Sequence, residues 1–292
     1  MPNTPRPTQL VPHFPREIID NIINELSSDE ATLKQCSTVS RSFQASTRRH
    51  LFFFINLYTF QMVDKLHRLL IGTPDIAWNI RKLRMNVYAY GATPISGENK
   101  EVMEWYANNT TLADILGMLP CLAVFVWETG RYVVLSWEHL SSNFRSAIVK
   151  LFQRPSLTTV VMKLPDGFPL CSLHHSPIKR LEISHIGFLD NHQGQLMLPH
   201  LEMLKILPGR CGNLGQMQLH VPSLQHISFC DPHDDGPEAC ALIQMAINTS
   251  ARSLKRLWWS YDCSIPRCMY SCNLESATMI KFLTFDSLAR SN

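Results

Sequence analysis

The stretch Leu201-Glu202-Met203-Leu204-Lys205-Ile206 places apolar residues at its first, fourth and sixth positions. The same phrase stands 23 residues earlier, at 178–183, and 23 residues later, at 224–229. Its alternating second half is typical of a short strand with one buried face. Because one short strand cannot bury its apolar row by itself, we expect neighbouring copies to stack side by side around a continuous core.

The phrase recurs along most of the chain, and the separations between its first residues, the anchors, are 42, 35, 21, 23, 23, 30 and 26 residues. Its other copies are Ile80-Leu83-Met85, Leu122-Phe125-Trp127, Leu157-Val160-Met162, Leu254-Leu257-Trp259 and Ile280-Leu283-Phe285. The phrase and the three central separations resemble a leucine-rich repeat, although the Asn or Cys that usually follows is mostly missing. The resemblance implies an α/β fold in which a degenerate leucine-rich array forms an irregular solenoid, or horseshoe.

The intervals between the copies differ in pattern. Apolar spacing predicts helical structure from Val102 to Met118 and over Phe144–Phe152, and strand-forming residues at 131–135 predict an extra strand. The intervals 163–177 and 207–221 lack a clear periodicity. We therefore expect irregular chain in those two places.

A different pattern precedes the repeats. Phe14, Ile18, Ile22 and Leu26 lie four residues apart, and Ile19 and Ile23 fill the adjacent row of a predicted amphipathic helix. Ser27 and Glu30 have the spacing of a capping box, which predicts the start of a second helix. That helix continues the apolar pattern with Leu33, Cys36, Val39 and Phe43. So much apolar surface on short helices must partly face another body, either the rest of this chain or a partner protein.

This pattern resembles the F-box, particularly its fungal version, with Phe14 in place of the usual Leu and Phe43 in place of the usual Trp. The matching residues are Pro15, Glu17, Ile18, Ile19, Ile22, Ile23, Leu26, Leu33, Cys36, Val39, Arg41 and Phe43. The resemblance implies a partner, the Skp-type adaptor of SCF ubiquitin ligases, and through it a cullin ligase. The implied adaptor-binding residues are Phe14, Pro15, Glu17, Ile18, Ile19, Ile22, Leu26, Leu33, Cys36, Val39 and Phe43. The alternative is that the helices only cap their own domain.

Together these patterns predict a disordered leader at 1–11, an all-helical F-box-like module at 12–50 and a leucine-rich domain at 51–292. A chain with 45% hydrophobic and 17% charged residues is expected to fold as a soluble protein. The net charge of +3 is too small to indicate nucleic acid, and no apolar run is long enough to span a membrane. Without a signal peptide, we expect the protein in the cytoplasm, the nucleus or both.

No motif for catalysis or for a cofactor is present. The sequence contains neither a Gly-rich phosphate loop nor a nucleophile elbow. Cys263, Cys268 and Cys272 have a loose metal-like spacing, but structural zinc requires four ligands, so ordinary thiols are the preferred interpretation. We therefore expect a protein that is not an enzyme and holds no cofactor or metal.

The repeat phrase also predicts a binding surface. In a leucine-rich strand, the free positions beside the second and third apolar residues face the concave side. The predicted target-binding residues at these positions are Lys82, Arg84, Val124, Val126, Val161, Arg180, Met203, Lys205, His226, Arg256 and Trp258. Apolar, aromatic and Arg residues are common in protein-binding hot spots. The sequence thus predicts a substrate receptor for ubiquitin transfer; the alternative is an interaction scaffold without a ligase role, and helices from the long intervals could also cover this surface.

Overall fold

The computed structural model describes residues 14–86, 98–128, 135–163, 165, 167–184, 195–206, 218–231, 237–262 and 282–288. The predicted leader, most of the predicted strand at 131–135 and the three cysteines from Cys263 to Cys272 lie outside these residues. The chain divides into two compact units, Met1–Phe54 and Ile55–Asn292.

The first unit consists of helices α1 (Arg16–Glu25), α2 (Glu30–Val39) and α3 (Arg41–Leu51). The capping box predicted from Ser27 is wrong, because the N-cap of α2 is Asp29. The Asp29 carboxylate accepts hydrogen bonds from the backbone N–H and the hydroxyl of Thr32, at 3.0 and 2.6 Å. These hydrogen bonds from Thr32 lower the pKa of the Asp29 carboxyl below its usual value.

The core of the first unit comes from one side of each helix. Ile19, Ile23 and Leu33 are buried together, and four partly buried side chains pack against them: Leu26, Cys36, Phe43 and Leu51. Two polar pairs join α1 to α3. The hydroxyl of the buried Ser46 donates to Asp20 at 2.5 Å, and His50 Nε2 lies 3.0 Å from Asn24 Oδ1.

The second unit is mixed α/β. Its strands are β1 (Phe54–Leu57, which begins at the last residue of the first unit), β2 (Lys82–Met85), β3 (Val124–Trp127), β4 (Thr159–Lys163), β5 (Arg180–Ser184), β6 (Gln195–Met197), β7 (Met203–Ile206), β8 (Gln218–His220), β9 (His226–Asp231), β10 (Arg256–Asp262) and β11 (Phe282–Leu288). Its helices are α4 (Phe60–Gly72), α5 (Glu98–Asn108), α6 (Thr111–Met118), α7 (Ser142–Phe152) and α8 (Pro237–Ser250), with 3-10 turns at Pro74–Asn79 and Leu170–Leu173.

Nine strands form one sheet in the order β1-β2-β3-β4-β5-β7-β9-β10-β11. Every pairing from β2 to β11 is parallel. The copies of the phrase lie in register, so that Leu181 is opposite Leu204, which is opposite Ile227. The mixed α/β class predicted from the phrase is therefore present, with a mostly parallel sheet.

The anchors of the phrase fix this register. The seven anchors from Ile80 to Leu254 are completely buried. The residue after each anchor donates its backbone N–H to the carbonyl of the same position in the previous copy, for example Lys179 to Thr158 and Glu202 to Lys179, both at 2.8 Å. This ladder satisfies backbone groups that precede each strand.

Aromatic side chains join the helices to the apolar face of the sheet. Trp127 on β3 lies 6.2 Å from Tyr106 on α5 and 5.5 Å from Phe144 on α7, measured between ring centroids. Burial raises the pKa of the Tyr106 phenol well above its usual value, so its hydroxyl stays protonated in the core. The helical structure predicted at Val102–Met118 and Phe144–Phe152 is thus confirmed by α5, α6 and α7, and α5 and α7 pack on the sheet.

The two intervals predicted to be irregular contain regular structure. Leu170–Leu173 forms a 3-10 turn, and β8 lies within 207–221. Strand β8 pairs in parallel with β6, with Leu196 opposite Leu219. The prediction is wrong at β8, because a strand of three residues is too short to show a period. The described residues of 163–177 are irregular apart from the 3-10 turn and the last residue of β4.

Candidate functional site

The first unit leaves one row of apolar side chains on α1 uncovered. Ile18 is 45% exposed and Ile22 is 43% exposed, and Phe14, one turn before Ile18, is 57% exposed. We call these three residues the outer row. Ile18 and Ile22 lie four residues apart and share one side of α1, and Phe14 stands just before the N-cap Pro15 of this helix. The inner row of the same helix, Ile19 and Ile23, fills the core of the unit.

The remaining residues of the predicted adaptor-binding set lie in three environments. Pro15, Glu17 and Val39 are exposed, Val39 at 68%. Ile19 and Leu33 are buried in the core of the unit. Leu26, Cys36 and Phe43 are partly buried against that core. A partner could therefore contact the exposed residues directly, whereas the buried ones hold the helices that present them.

The exposure of the outer row has an energetic cost that a partner could remove. Full burial of an isoleucine side chain contributes about 1.5–3 kcal/mol, so covering the exposed half of Ile18 or Ile22 would contribute about 1 kcal/mol each. Single exposed apolar residues are common on proteins, but a row with one helical spacing is a feature of binding helices. The outer row is thus a candidate docking surface.

The second unit carries the predicted target-binding residues on one face of its nine-stranded sheet, which we call the variable face. The sheet register aligns them in two rows. The first row is Lys82, Val124, Thr159, Arg180, Met203, His226 and Arg256; the second is Arg84, Val126, Val161, Glu182, Lys205, Ser228 and Trp258. All the predicted residues therefore lie on this face, because each occupies one of the same two positions of its copy.

The exposure of the variable face changes along the sheet. Val126 is only 7% exposed, so little of this side chain is available to a partner, contrary to its predicted place on an open surface. Val124, Val161 and Met203 are half-buried. Arg180 and Arg256 are exposed, and Trp258 is 48% exposed. The most accessible residues of the variable face therefore lie on β5 and β10, and we call the part of this face from β5 to β10 the cationic end.

Two ion pairs bridge neighbouring strands on this face. Arg84 donates from Nε and Nη2 to Glu128 at 3.0 and 2.6 Å. Lys205 Nζ lies 3.0 Å from Glu182 Oε1. The position opposite Arg180 is occupied by Met203. Within the described part of the chain, Arg180 has no ion-pair partner.

His226 lies among the cations of this region. Burial lowers the pKa of His226 below its usual value, and the positive charges of Arg256, Lys255 and Arg180 lower it further, while Glu202 partly offsets them. Lys255 belongs to this group, although the sequence-based set omitted it. Lys255 stands between the anchor Leu254 and the strand that follows. This position of the phrase could have identified Lys255 as a member of the cation group from the sequence.

The adjacent histidines His174 and His175 have a structural role. Met197 on β6 donates its N–H to His174 Nδ1 at 3.1 Å and accepts from the N–H of His175 at 2.8 Å. The pair thus holds β6 beside the turn at Leu170–Leu173. In the described ranges, no group of three or more His, Cys, Asp and Glu side chains is arranged to hold a metal ion. None of the described helices combines the length and apolarity needed to cross a membrane.

Comparison of the chain with protein-family models, with curated proteins and with solved structures found no match.

Proposed function

We propose that this chain is the substrate-recognition subunit of an SCF-type ubiquitin ligase. In this proposal, the helical unit is an F-box that docks on a Skp-type adaptor and, through it, on a cullin. The second unit is a degenerate leucine-rich solenoid whose concave side is the variable face, where a target protein binds. The protein would act in the cytoplasm, the nucleus or both.

The observation that carries the proposal is the division of α1 into a covered and an uncovered apolar row. Ile19 and Ile23 are the residues of α1 that are buried in the core shared with α2 and α3. The outer row is 43–57% exposed, yet all three of its residues are apolar. A helix with no partner would be expected to carry polar residues there. The outer row therefore supports docking on another protein.

The variable face supports the second half of the proposal. A sheet built from aligned copies presents successive side chains at fixed spacing, which suits an extended binding surface. The receptor itself needs no catalytic group. Its contribution would be proximity, because holding a target near a conjugating enzyme raises the effective concentration of the reacting lysine.

Co-expression with a fungal Skp-type adaptor tests the proposal. The full-length wild type should capture the adaptor in a pull-down and become more soluble with it, and an Ile18→Asp, Ile22→Asp double variant should do neither. The control is an Asn21→Asp, Gln35→Asp variant, because it adds two negative charges to exposed polar positions of the same unit. This control should bind like the wild type.

Two results would contradict the proposal. One is equal capture of the adaptor by the wild type and the Ile18→Asp, Ile22→Asp variant. The other is failure of the folded wild type to bind the adaptor at all, which would favour an interaction scaffold whose helices serve only its own domain. Circular dichroism of each variant separates loss of docking from loss of folding.

A further inference from the structure

We propose that the cationic end of the variable face binds an unmodified acidic segment of the target, rich in Asp and Glu. The contacts come from Arg180, His226 and Arg256, with Trp258 beside them. This inference rests on the proposed role of the variable face as a target-binding surface. It adds the chemical class of the segment that is recognised.

The part of the variable face from β5 to β10 carries more positive than negative charge. On strands β5 to β10 the rows contain the cations Arg180, Lys205 and Arg256, whereas Glu182 is the single acidic residue among their described positions. Glu182 is already paired with Lys205. Glu182 therefore does not neutralise Arg180, and the positive charge of Arg180 can attract an anionic partner.

Arg180 lies between two carboxylate–cation pairs. Lys179 pairs with Glu202 at 3.2 Å, and Glu182 pairs with Lys205 at 3.0 Å, so β5 and β7 exchange carboxylate–cation contacts on both sides of Arg180. Opposite Arg180 itself lies the half-buried Met203. An acidic side chain of a bound peptide would give Arg180 the kind of ion pair that Lys179 and Lys205 already form.

The sheet geometry sets the spacing of the acidic residues. Arg180 on β5 is separated by two strand steps from His226 on β9 and by three from Arg256 on β10. At about 4.8 Å per step, these separations are about 10 and 14 Å. An extended peptide that crosses the strands advances about 3.3 Å per residue, so acidic residues three to four positions apart match the cations.

The composition of this end favours a peptide with carboxylates over a bare anion. Met203 lies between Arg180 and His226 in the first row, and the 48% exposed Trp258 lies beside Arg256 on β10. Exposed Trp and Arg together are typical of protein-binding hot spots. The existing partners of Lys179 and Lys205 on these strands are also carboxylates. An acidic segment with an apolar residue between its acids fits both features.

Peptide selection on the purified full-length chain tests this inference without any adaptor. Random unmodified 12-residue peptides, displayed on phage, are selected on the wild type, on Arg180→Glu and on the control Lys65→Glu. Lys65 is exposed on α4 and is not part of the strands that form the variable face. Selection on the wild type and on Lys65→Glu should yield peptides with Asp or Glu three to four residues apart. Selection on Arg180→Glu should not yield them.

Selected peptides are then measured by fluorescence anisotropy. Arg180→Glu should weaken them roughly tenfold, because it replaces an attractive charge with a repulsive one. The variant Arg180→Lys should retain most of the affinity, since it keeps the charge. Thermal unfolding of each variant confirms that the fold is intact.

Three outcomes would overturn the inference. They are no acidic enrichment on the wild type, equal affinity of Arg180→Glu for the selected peptides, and binding of phosphoserine-containing peptides or of a single-stranded RNA oligomer in place of unmodified acidic ones. Because no adaptor takes part, these outcomes are distinct from failure of adaptor docking, which the pull-down measures.

Discussion

Ile22 and Ile23 are neighbours in α1, yet Ile22 is 43% exposed, whereas Ile23 is completely buried between the helices of the first unit. Their side chains differ only in the side of the helix that carries them. One residue belongs to the core and the other to the outer row, so the same substitution should have different effects at the two positions.

We predict that Ile23→Ala destabilises the first unit by about 2–4 kcal/mol, because it leaves a cavity in a small core. Ile22→Ala should cost less than about 1 kcal/mol, since that side chain is already half in water. Hydrogen exchange of the amides in α1, α2 and α3 measures both changes in the full-length chain. Similar loss of protection in the two variants would show that the outer row also belongs to the core.

Arg154 should stabilise the second unit by capping the C-terminal end of α6. Its Nη1 donates to the carbonyl of Leu119 at 2.8 Å, and Nη2 lies 3.5 Å from the carbonyl of Gly117. Burial lowers the pKa of the Arg154 guanidinium from its usual value. We predict that Arg154→Ala costs about 1–3 kcal/mol, because it leaves carbonyls at a helix end without a donor.

The measurement for Arg154 is the denaturant midpoint together with hydrogen exchange in α6. The exposed Arg252 provides the control, and Arg252→Ala should change stability by no more than about 0.5 kcal/mol. Equal midpoints for the two variants would rule out the proposed role of Arg154.

His226 should make binding of an acidic peptide depend on pH. Its pKa lies below the usual value of 6.5 in the free chain, because burial and the charges of Arg256, Lys255 and Arg180 disfavour the cation, against a smaller opposite effect of Glu202. A bound carboxylate favours the cation and raises this pKa, so binding takes up a proton. We predict that affinity increases as the pH falls from 7 through the titration range of His226.

Histidine NMR titration of the wild type, with and without a selected acidic peptide, measures the pKa of His226 directly. The variant His226→Gln should bind with little pH dependence above pH 6, where Asp and Glu remain charged. A pKa of His226 that does not rise on peptide binding would contradict a carboxylate contact at this site.

Much of the sheet could be predicted because its signal repeats. Each copy of the phrase places an anchor before a strand with one buried side, and copies that share this pattern bury their apolar rows only when they pair in register. The alignment of Arg180 with Met203 and His226 follows from that requirement. The two rows of the variable face could thus be assigned from spacing alone.

Other features could not be predicted, for physical reasons that differ. Strands β6 and β8 have three residues each, which is too few to show a period. They do share a local pattern: both begin with Gln-Leu, and an apolar residue and then a proline follow each strand directly. Ser27 and Asp29 can both cap a helix, and the hydrogen bonds to Thr32 decide for Asp29. The low exposure of Val126 depends on its neighbours in the folded sheet, which no local pattern contains.

The most direct test of the central claim is a titration of the purified full-length chain with a purified Skp-type adaptor. We predict saturable one-to-one binding by the wild type and by the Asn21→Asp, Gln35→Asp control. The Ile18→Asp, Ile22→Asp variant should bind at least about 100-fold more weakly, as expected for two central contacts of an interface. Equal dissociation constants for the wild type and this variant, with both folded, would contradict docking through the outer row.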